Sequence, residues 1–419
     1  MLEYSNESPT SPQVARNSGV FALMVVQAGW IFAGMDYSIY NFALPLILGD
    51  LKISLPTAGF IFFLSLQGSF AGSLVVPLLA DAFGRKRTMM GNILLYALTT
   101  GVVGLAASAA FLTLARFLVN FGVAAEQAVG ATYIAEEWNS RTRGGAIGFM
   151  QSGIAIGTLL ASFILVTVGA NFGWRPLFLI GVLPALLVVV IRFRLPESRK
   201  WSEIRARQRA STANIRQARE RFPFAQLFAP DLRKFTISGL VLLIAANFAN
   251  GGIFSWAPTF LKQERGLDIS SIGWYGIVLA TGQLAGFNVC GLLADRIGRR
   301  TALVLFWSLG ILSVAAFGLV TNLLLLGCAA FFVGFSLTGI FSGCLIYLSE
   351  VFPTRARATG MGWCLGIGLF SFSIAPLLLG VLAPESSFGL LFAVSASIAC
   401  VIGLITLLFA PETKGRELM

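Results

Sequence analysis

Apolar residues fall in long stretches along this chain, separated by short polar breaks. A window of about 19 residues finds them at 20–48, 57–80, 88–108, 111–137, 144–168, 175–195, 235–261, 270–294, 301–321, 324–349, 357–381 and 387–410. A helical crossing of a bilayer takes about 20 apolar residues. The pattern therefore predicts an all-α membrane protein of twelve transmembrane helices. The break between the sixth and seventh stretches is much the longest. It divides the chain into an N-terminal six-helix bundle, 19–195, a basic, partly helix-like cytoplasmic linker, 196–234, and a C-terminal six-helix bundle, 235–411. Residues 1–18 are polar and lack the basic-then-apolar order of a cleavable signal, so they are expected to form a disordered cytoplasmic tail. Residues 412–419 form a second cytoplasmic tail.

Composition narrows the class further. Of 419 residues, 56% are hydrophobic and 12% charged, against about 25% charged in soluble domains; a soluble enzyme is excluded. The chain has no histidine, which removes imidazole proton relays, serine-histidine catalysis and His-ligated zinc. Carboxylates must carry any proton chemistry. The five cysteines, Cys290, Cys328, Cys344, Cys364 and Cys400, lie in apolar runs with no CxxC spacing, and are read as core packing. No metal site or cofactor is implied.

The net charge of +11 has a topological origin. If both termini are cytoplasmic, 25 of the 30 basic residues lie on the cytoplasmic side, twelve of them between Arg192 and Lys234. Lys52, Arg175, Lys262 and Arg265 fall on the other side, and Arg116 falls within a span. This is the asymmetry of the positive-inside rule, and it needs no nucleic acid. The basic linker reads as a solvated segment that also touches anionic lipid.

The two halves repeat at a constant offset of 214 residues. LLADAFGRKR (78–87) matches LLADRIGRR (292–300), pairing Asp81 with Asp295, Gly84 with Gly298 and Arg85 with Arg299. The same offset carries Gly72 to Gly286, Tyr133 to Tyr347, Glu136 to Glu350, Arg141 to Arg355 and Arg143 to Arg357. The halves also end alike, in Pro196-Glu197-Ser198 and Pro411-Glu412-Thr413. A six-helix unit used twice in one orientation places a binding site between the halves at the membrane midplane. That is the plan of a transporter.

The stretch from Gly72 to Arg87, G-x8-D-x2-G-R-K-R, with its degenerate copy from Gly286 to Arg300, resembles the loop signatures of the major facilitator superfamily, and Arg116 fits that family's intramembrane arginine. The resemblance covers about residues 20–412 and implies alternating access by a carrier, expected to work as a monomer in the bacterial inner membrane. It also gives Gly72, Asp81, Gly84, Arg85 and Arg87, with Asp295, Gly298 and Arg299, the role of a conformational latch. Asp81 stands where it can accept hydrogen bonds from a helix N-terminus and from Arg85 in one state and lose them in another. Within the superfamily, MDYSIYNFALPLILGDL (35–51), AEQAVGATYIAEEWNSRTRGGAIGFMQSG (125–153), GWRPLFLIG (173–181) and YLSEVFPTRARATGMG (347–362) are similar to the sialate and lactate type of proton symporters and to the metabolite and aromatic-acid symporters. Gln127 stands where those relatives usually have tryptophan.

Three ionisable groups lie deep inside spans: Asp36 in the first, and Arg116 and Glu126 in the fourth. Each costs about 2.5–3.5 kcal/mol or more at the bilayer centre, and such residues normally face a bundle interior or a cavity. Glu126 lies about 15 Å beyond Arg116 along the helix and roughly 80° around it, so the two cannot pair; Arg116 is long enough to reach Asp36. Asn120 and Gln127 extend the polar stripe of Arg116, within about 40° of it. Offset 214 carries Arg116 to Ala330 and Glu126 to Ile340, while Asp36 becomes Asn250. The charges belong to the N-terminal half, which is expected to handle the proton, with Glu126 carrying the exchangeable one. The C-terminal half offers Asn247, Asn250, Gln283 and Asn288, amides that can hold solute hydroxyls or a carboxylate. Tyr37, Tyr40 and Trp256 are aromatics that either line the cavity or pack.

These features predict a proton-coupled importer of a small organic anion, a monocarboxylate or an acidic sugar. The rivals are a symporter of a neutral sugar-like solute and a proton-driven drug exporter. The fifth span has Gly148, Gly153 and Gly157 but no proline, whereas exporters of the superfamily usually carry a Gly-Pro signature there. A non-transporting receptor on the same scaffold is a further alternative, and no nucleophile-base pair points to an enzyme.

Overall fold

In hydrocarbon every backbone N–H and C=O needs a partner within the protein, which leaves helices as the way for this chain to cross. The computed structural model describes residues 12–137, 149–192, 227–230, 232–352 and 357–412. Among them run twelve helices: α1 (Pro12–Asp50), α2 (Leu55–Phe83), α3 (Arg85–Val103), α4 (Ala109–Glu137), α5 (Phe149–Phe172), α6 (Arg175–Arg192), α7 (Arg233–Gln263), α8 (Ile269–Ile297), α9 (Arg299–Leu319), α10 (Leu323–Val351), α11 (Arg357–Leu382) and α12 (Phe388–Leu408). Nine of these are long and apolar enough to cross a membrane by composition alone; the other three are α3, α4 and α6. α3 and α4 carry buried polar side chains, Asn92 and Thr100 on the first, Arg116 and Asn120 on the second.

Packing repeats with the sequence. Within the halves, α2 lies on α4 as α8 lies on α10, and α1 on α5 as α7 on α11. Between the halves, α2 meets α11 and α5 meets α8, with α1 touching α7. The α2–α4 and α8–α10 crossings are close enough that a Cβ at Gly68 or Gly72 would run into the carbonyl of Phe117 or Phe121. At the same offset, Gly282 and Gly286 meet the carbonyls of Phe331 and Phe335. Small residues permit this approach, and in a membrane such contacts supply the packing energy that the hydrophobic effect does not.

The turns repeat too, with different residues in the same roles. Gly84 (φ 104°) and Gly298 (φ 106°) end α2 and α8, in a backbone region that disfavours side chains. At the other end, Lys52 (φ 50°) and Gly266 (φ 66°) turn the chain into α2 and α8, whose N-caps are Ser54 and Asp268. Asp50 accepts from Trp174 Nε1 at 3.0 Å and from Arg175 at 2.5 Å. Its counterpart Glu264 accepts from the backbone N–H groups of Phe388 and Gly389.

Two of the four basic residues on the minority side have structural work here. Arg175 donates to the carbonyl of Ala106 at 3.3 Å and Arg265 to that of Gly318 at 2.7 Å. Each thereby satisfies a carbonyl at the exit of α3 or α9 that the helix itself leaves free.

The boundaries differ from the sequence reading in three places. α1 begins at Pro12, inside the stretch expected to be a disordered tail; proline suits a first helical position, and extending an existing helix carries no new nucleation cost. The end of the expected solvated linker is packed: Leu227 and Leu232 are buried, and the Leu227 carbonyl accepts from Thr236 Oγ1 at 2.7 Å. Glu412, expected in the C-terminal tail, caps α9 through the N–H groups of Arg299 and Arg300 at 2.8 and 3.1 Å. The rest of the linker lies outside the described residues. Four cysteines are buried as core packing, whereas Cys328 is exposed.

The equivalence of the two crossings is testable. Gly72→Val and Gly286→Val should each destabilise the protein by about 1–3 kcal/mol or more through overpacking. Gly91→Ala, where a Cβ meets nothing within 4 Å, should stay within about 1 kcal/mol of the parent. Thermal unfolding of the three variants in detergent checks this; a large gap between the first two would break the equivalence.

Candidate functional site

Asp36, near the middle of α1, has partners from two other helices. Arg116 Nη1 of α4 donates to its Oδ2 at 2.8 Å, and Thr100 Oγ1 of α3 donates to its Oδ1 at 2.6 Å. Both charged residues are almost fully enclosed, Asp36 at 4% and Arg116 at 2% exposure. One turn further along α1, the Tyr40 ring lies against the guanidinium, 4.3 Å from centroid to carbon. A buried pair is sustainable only when such contacts replace the lost water.

Asp36 lines a cavity of about 260 Å³ between the two halves. Its wall is drawn from α1, α2, α4 and α5 on one side and from α7, α8, α10 and α11, with Phe317 of α9, on the other. Aromatic rings, among them Tyr37, Phe70, Phe254, Phe341 and Phe372, alternate with neutral polar groups. Among the described residues, two side-chain hydrogen bonds cross between the halves, Tyr37 Oη with Ser255 Oγ at 3.2 Å and Gln67 Nε2 to Ser373 Oγ at 3.1 Å. The start of α1, the end of α12, the α2–α3 turn and the α8–α9 turn share one end of the molecule, here the terminal side. On the opposite, far side α2 and α11 approach so closely that a Cβ at Gly380 would stand 2.8 Å from the Leu55 carbonyl and 3.1 Å from Gly59 Cα. Gly276 of α8 likewise abuts Ser162 and Phe42. These contacts close the cavity on the far side.

Of the residues singled out from sequence, Asp36, Tyr37, Asn120, Asn247, Asn250 and Gln283 line this cavity. Arg116 does not: it stands behind Asp36, beneath Tyr40. Glu126 and Gln127 lie on α4, but their side chains fall outside the described residues. Asn288 is exposed and bonds back to Leu284 O. Trp256 is packing, fully buried with Nε1 donating to Pro376 O at 2.9 Å. Sequence reading missed Thr100, Asn41 and Gln67. Thr100 lies sixteen positions before Arg116 in an otherwise ordinary apolar stretch, and nothing local marks it.

On the terminal side, Arg299 pairs with Asp295 and with Glu350, Nε to Oε1 at 3.0 Å. Glu412 holds the first N–H groups of α9, Arg300 reaches Leu408 O at 2.9 Å, and Tyr347 Oη donates to Pro411 O at 2.9 Å. The ends of α8, α9, α10 and α12 are thus tied together within one half. In the first copy, Gly72 and Gly84 take the same places as Gly286 and Gly298, and Arg87 is exposed. The side chains of Asp81 and Arg85 fall outside the described residues. Among the described residues there is no cluster of metal-ligating groups.

Twelve helices in two matched bundles, with a cavity between them closed on one side, define an integral membrane transporter of small solutes. The Major Facilitator Superfamily model matches residues 28–338 and again 261–418, and the chain belongs to that family. It is 31% identical over 397 residues to a probable 4-methylmuconolactone transporter of Cupriavidus pinatubonensis, covering 93% of this chain and 89% of the relative. It is 29% identical over 394 residues to the sialic acid transporter NanX of Escherichia coli, covering 92% of each. Among solved structures, a D-xylose-proton symporter superposes with a TM-score of 0.76 at 20% identity, covering 95% of this chain and all of the other. The family's activity is transport and not catalysis.

For the terminal-side motif, Asp81→Asn should slow transport while leaving solute affinity within a few-fold. Asp295→Asn should do less, because Glu350 and Glu412 still hold the start of α9 when Asp295 is neutral, and because Thr301 replaces the third basic residue, Arg87, of the first copy. Initial uptake rates and equilibrium binding of each variant in proteoliposomes check both; normal turnover in Asp81→Asn would remove the latch from the mechanism.

Proposed function

We propose that this carrier imports a small organic anion, a monocarboxylate or an acidic sugar, together with protons, across the bacterial inner membrane with both termini in the cytoplasm. One observation carries the reading: Asp36, on the wall of the central cavity, is paired with the buried Arg116 behind it, in the half of the repeat that alone has charges at this depth among the described residues. The relatives named for sialic acid and a muconolactone, and the fold shared with a proton symporter, support it.

The charge arithmetic gives the coupling. With Asp36 and Glu126 both ionised beside Arg116, the site carries net −1 and repels an anion. Protonating one acid brings the site to zero and frees donors on Arg116, so solute and proton each raise the other's affinity by the same factor. The cavity offers no described cation on its wall, an observation that favours the second reading, a neutral sugar-like solute. Competition between glucuronate and glucose separates the two.

Glu126→Gln, a fixed mimic of the protonated acid, should retain binding and counterflow while losing both pH dependence and uphill accumulation. If it still concentrates solute under an imposed pH gradient, Asp36 takes over as the coupling site. Thr100→Val removes one of the two hydrogen bonds that hold the Asp36 carboxylate, and should cut the initial rate of uptake several-fold at fixed pH; Thr100→Ser should restore it. An unchanged rate in folded Thr100→Val would take the grip on Asp36 out of the transport cycle.

A further inference from the structure

The ring that covers Arg116 is itself covered. Tyr40 lies one turn beyond Asp36 on α1, toward the far side, and its hydroxyl has no partner among the described residues. Its position is therefore set by what touches the ring: the guanidinium on one face, 4.3 Å away, and the Phe62 ring of α2, 5.2 Å away and turned by 75°. Phe62 in turn meets Trp256 of α7, 5.6 Å away at 65°. This contact joins the two halves. Counted from the far-side ends of their helices, Asp36 lies about 21 Å deep, Tyr40 about 15 Å, and Phe62 and Trp256 about 10 Å each. The rings thus climb from the ion pair to the far-side closure.

Trp256 stands in the seam that closes there. Its Nε1 donates to Pro376 O at 2.9 Å, a Cβ at Gly380 would stand 2.8 Å from its Cζ2, and one at Gly59 would stand 3.1 Å from Pro376 O. Parting α2 from α11 must therefore pull Phe62 off Trp256 or Trp256 off Pro376. The repeat supplies a comparison. The other far-side seam, between α5 and α8, is built at the same offset: Gly273 takes the place of Gly59 and meets Ser162 O, in the place of Pro376 O, again at 3.1 Å. Phe42 takes the place of Trp256. Yet the place of Phe62 is taken by Gly276, which abuts Phe42, and the place of Arg116 by Ala330. The phenyl ring that bridges to the seam is present only in the copy that has the charge.

We propose that Phe62 is a positioning residue that ties the far-side closure to the Asp36–Arg116 pair. With the pair formed, Arg116 holds the Tyr40 ring against Phe62, and Phe62 seats Trp256 in the α2–α11 seam. When Arg116 leaves Asp36 for another acceptor, the Tyr40 ring loses the face that fixed it, Phe62 gains room, and the seam is released. Densely packed rings pass on such a shift because they exchange one discrete arrangement for another and do not compress. The inference uses the ion pair and not the identity of the solute, so it goes beyond the organic-anion reading.

The test is a double-mutant cycle on the purified full-length protein in lipid nanodiscs, without solute. Its readout is amide hydrogen exchange at the far-side ends of α2 and α11, residues 55–61 and 380–385. Asp36→Asn should raise exchange there roughly fivefold or more, and by less than about twofold when Phe62→Leu is also present. Phe62→Tyr, which keeps the ring, should retain the full response; Phe62→Met serves where leucine prevents folding. Phe63→Leu removes a neighbouring ring contact between the halves, Phe63 with Phe370 at 6.1 Å, which lies outside the series that starts at Tyr40. It should raise exchange by itself and leave the response to Asp36→Asn whole. Equal responses with phenylalanine and leucine at position 62, no response to Asp36→Asn in the parent, or a response lost in folded Phe62→Tyr would overturn the proposal. Proton-driven uptake is measured separately in proteoliposomes. Its absence would sink the coupled-transport reading, whereas the exchange experiment needs no solute and decides this inference alone.

Discussion

A carboxylate and a guanidinium enclosed together in a bilayer must find in the protein what water would have given them, and much of the N-terminal half is arranged around that need. Asp36 takes one hydrogen bond on each oxygen, from different helices, so α1, α3 and α4 are held at a common level by a single side chain. Tyr40 covers the guanidinium with its ring. The enclosure is incomplete: Arg116 Nε and Tyr40 Oη are buried without partners. A charge pair gripped from three sides but not saturated is more open to rearrangement than a sealed one, because its remaining donors gain from any new acceptor.

The opposite half does without such a pair. Where α1 has Asp36, α7 has Asn250, and where α4 has Arg116, α10 has Ala330. Asn250 donates to Ala246 O on its own helix at 2.7 Å and only at 3.4 Å to Leu337 O of α10, so no charged partner is drawn in to stabilise it. The two halves therefore share a scaffold and differ in what they present to the cavity. The C-terminal half can be built without titratable groups at that depth because amides carry no charge to be neutralised.

How much of this was legible in the sequence depends on whether a role is tied to a residue type. The twelve helices and the 214-residue repeat were legible because apolar runs and the Gly-Asp-Gly-Arg spacing leave little choice of residue. The α2–α4 glycines also show in the sequence, since nothing larger fits against the Phe121 carbonyl. The caps did not show: Ser54 and Asp268 stand at one place, as do Lys52 and Gly266, without resembling each other. In the site, charged Asp36 and Arg116 stood out against an apolar background by their cost alone. Thr100 was invisible because a threonine in a membrane helix usually bonds its own backbone, as Thr113 does to Ala109 O. That Arg116 stands behind Asp36 instead of on the wall depends on Tyr40, whose position relative to α4 is set by packing between helices far apart in sequence.

The repeat also has a use for the experimenter. The helix pairings of one half, α2 on α4 and α1 on α5, have counterparts 214 residues away in α8 on α10 and α7 on α11, with similar packing and different charge. A substitution made at both places is an experiment with its control in the same polypeptide, at the same expression level and in the same lipid. Whatever the two replacements share measures architecture. Whatever they do not share measures the chemistry that the halves divided between them.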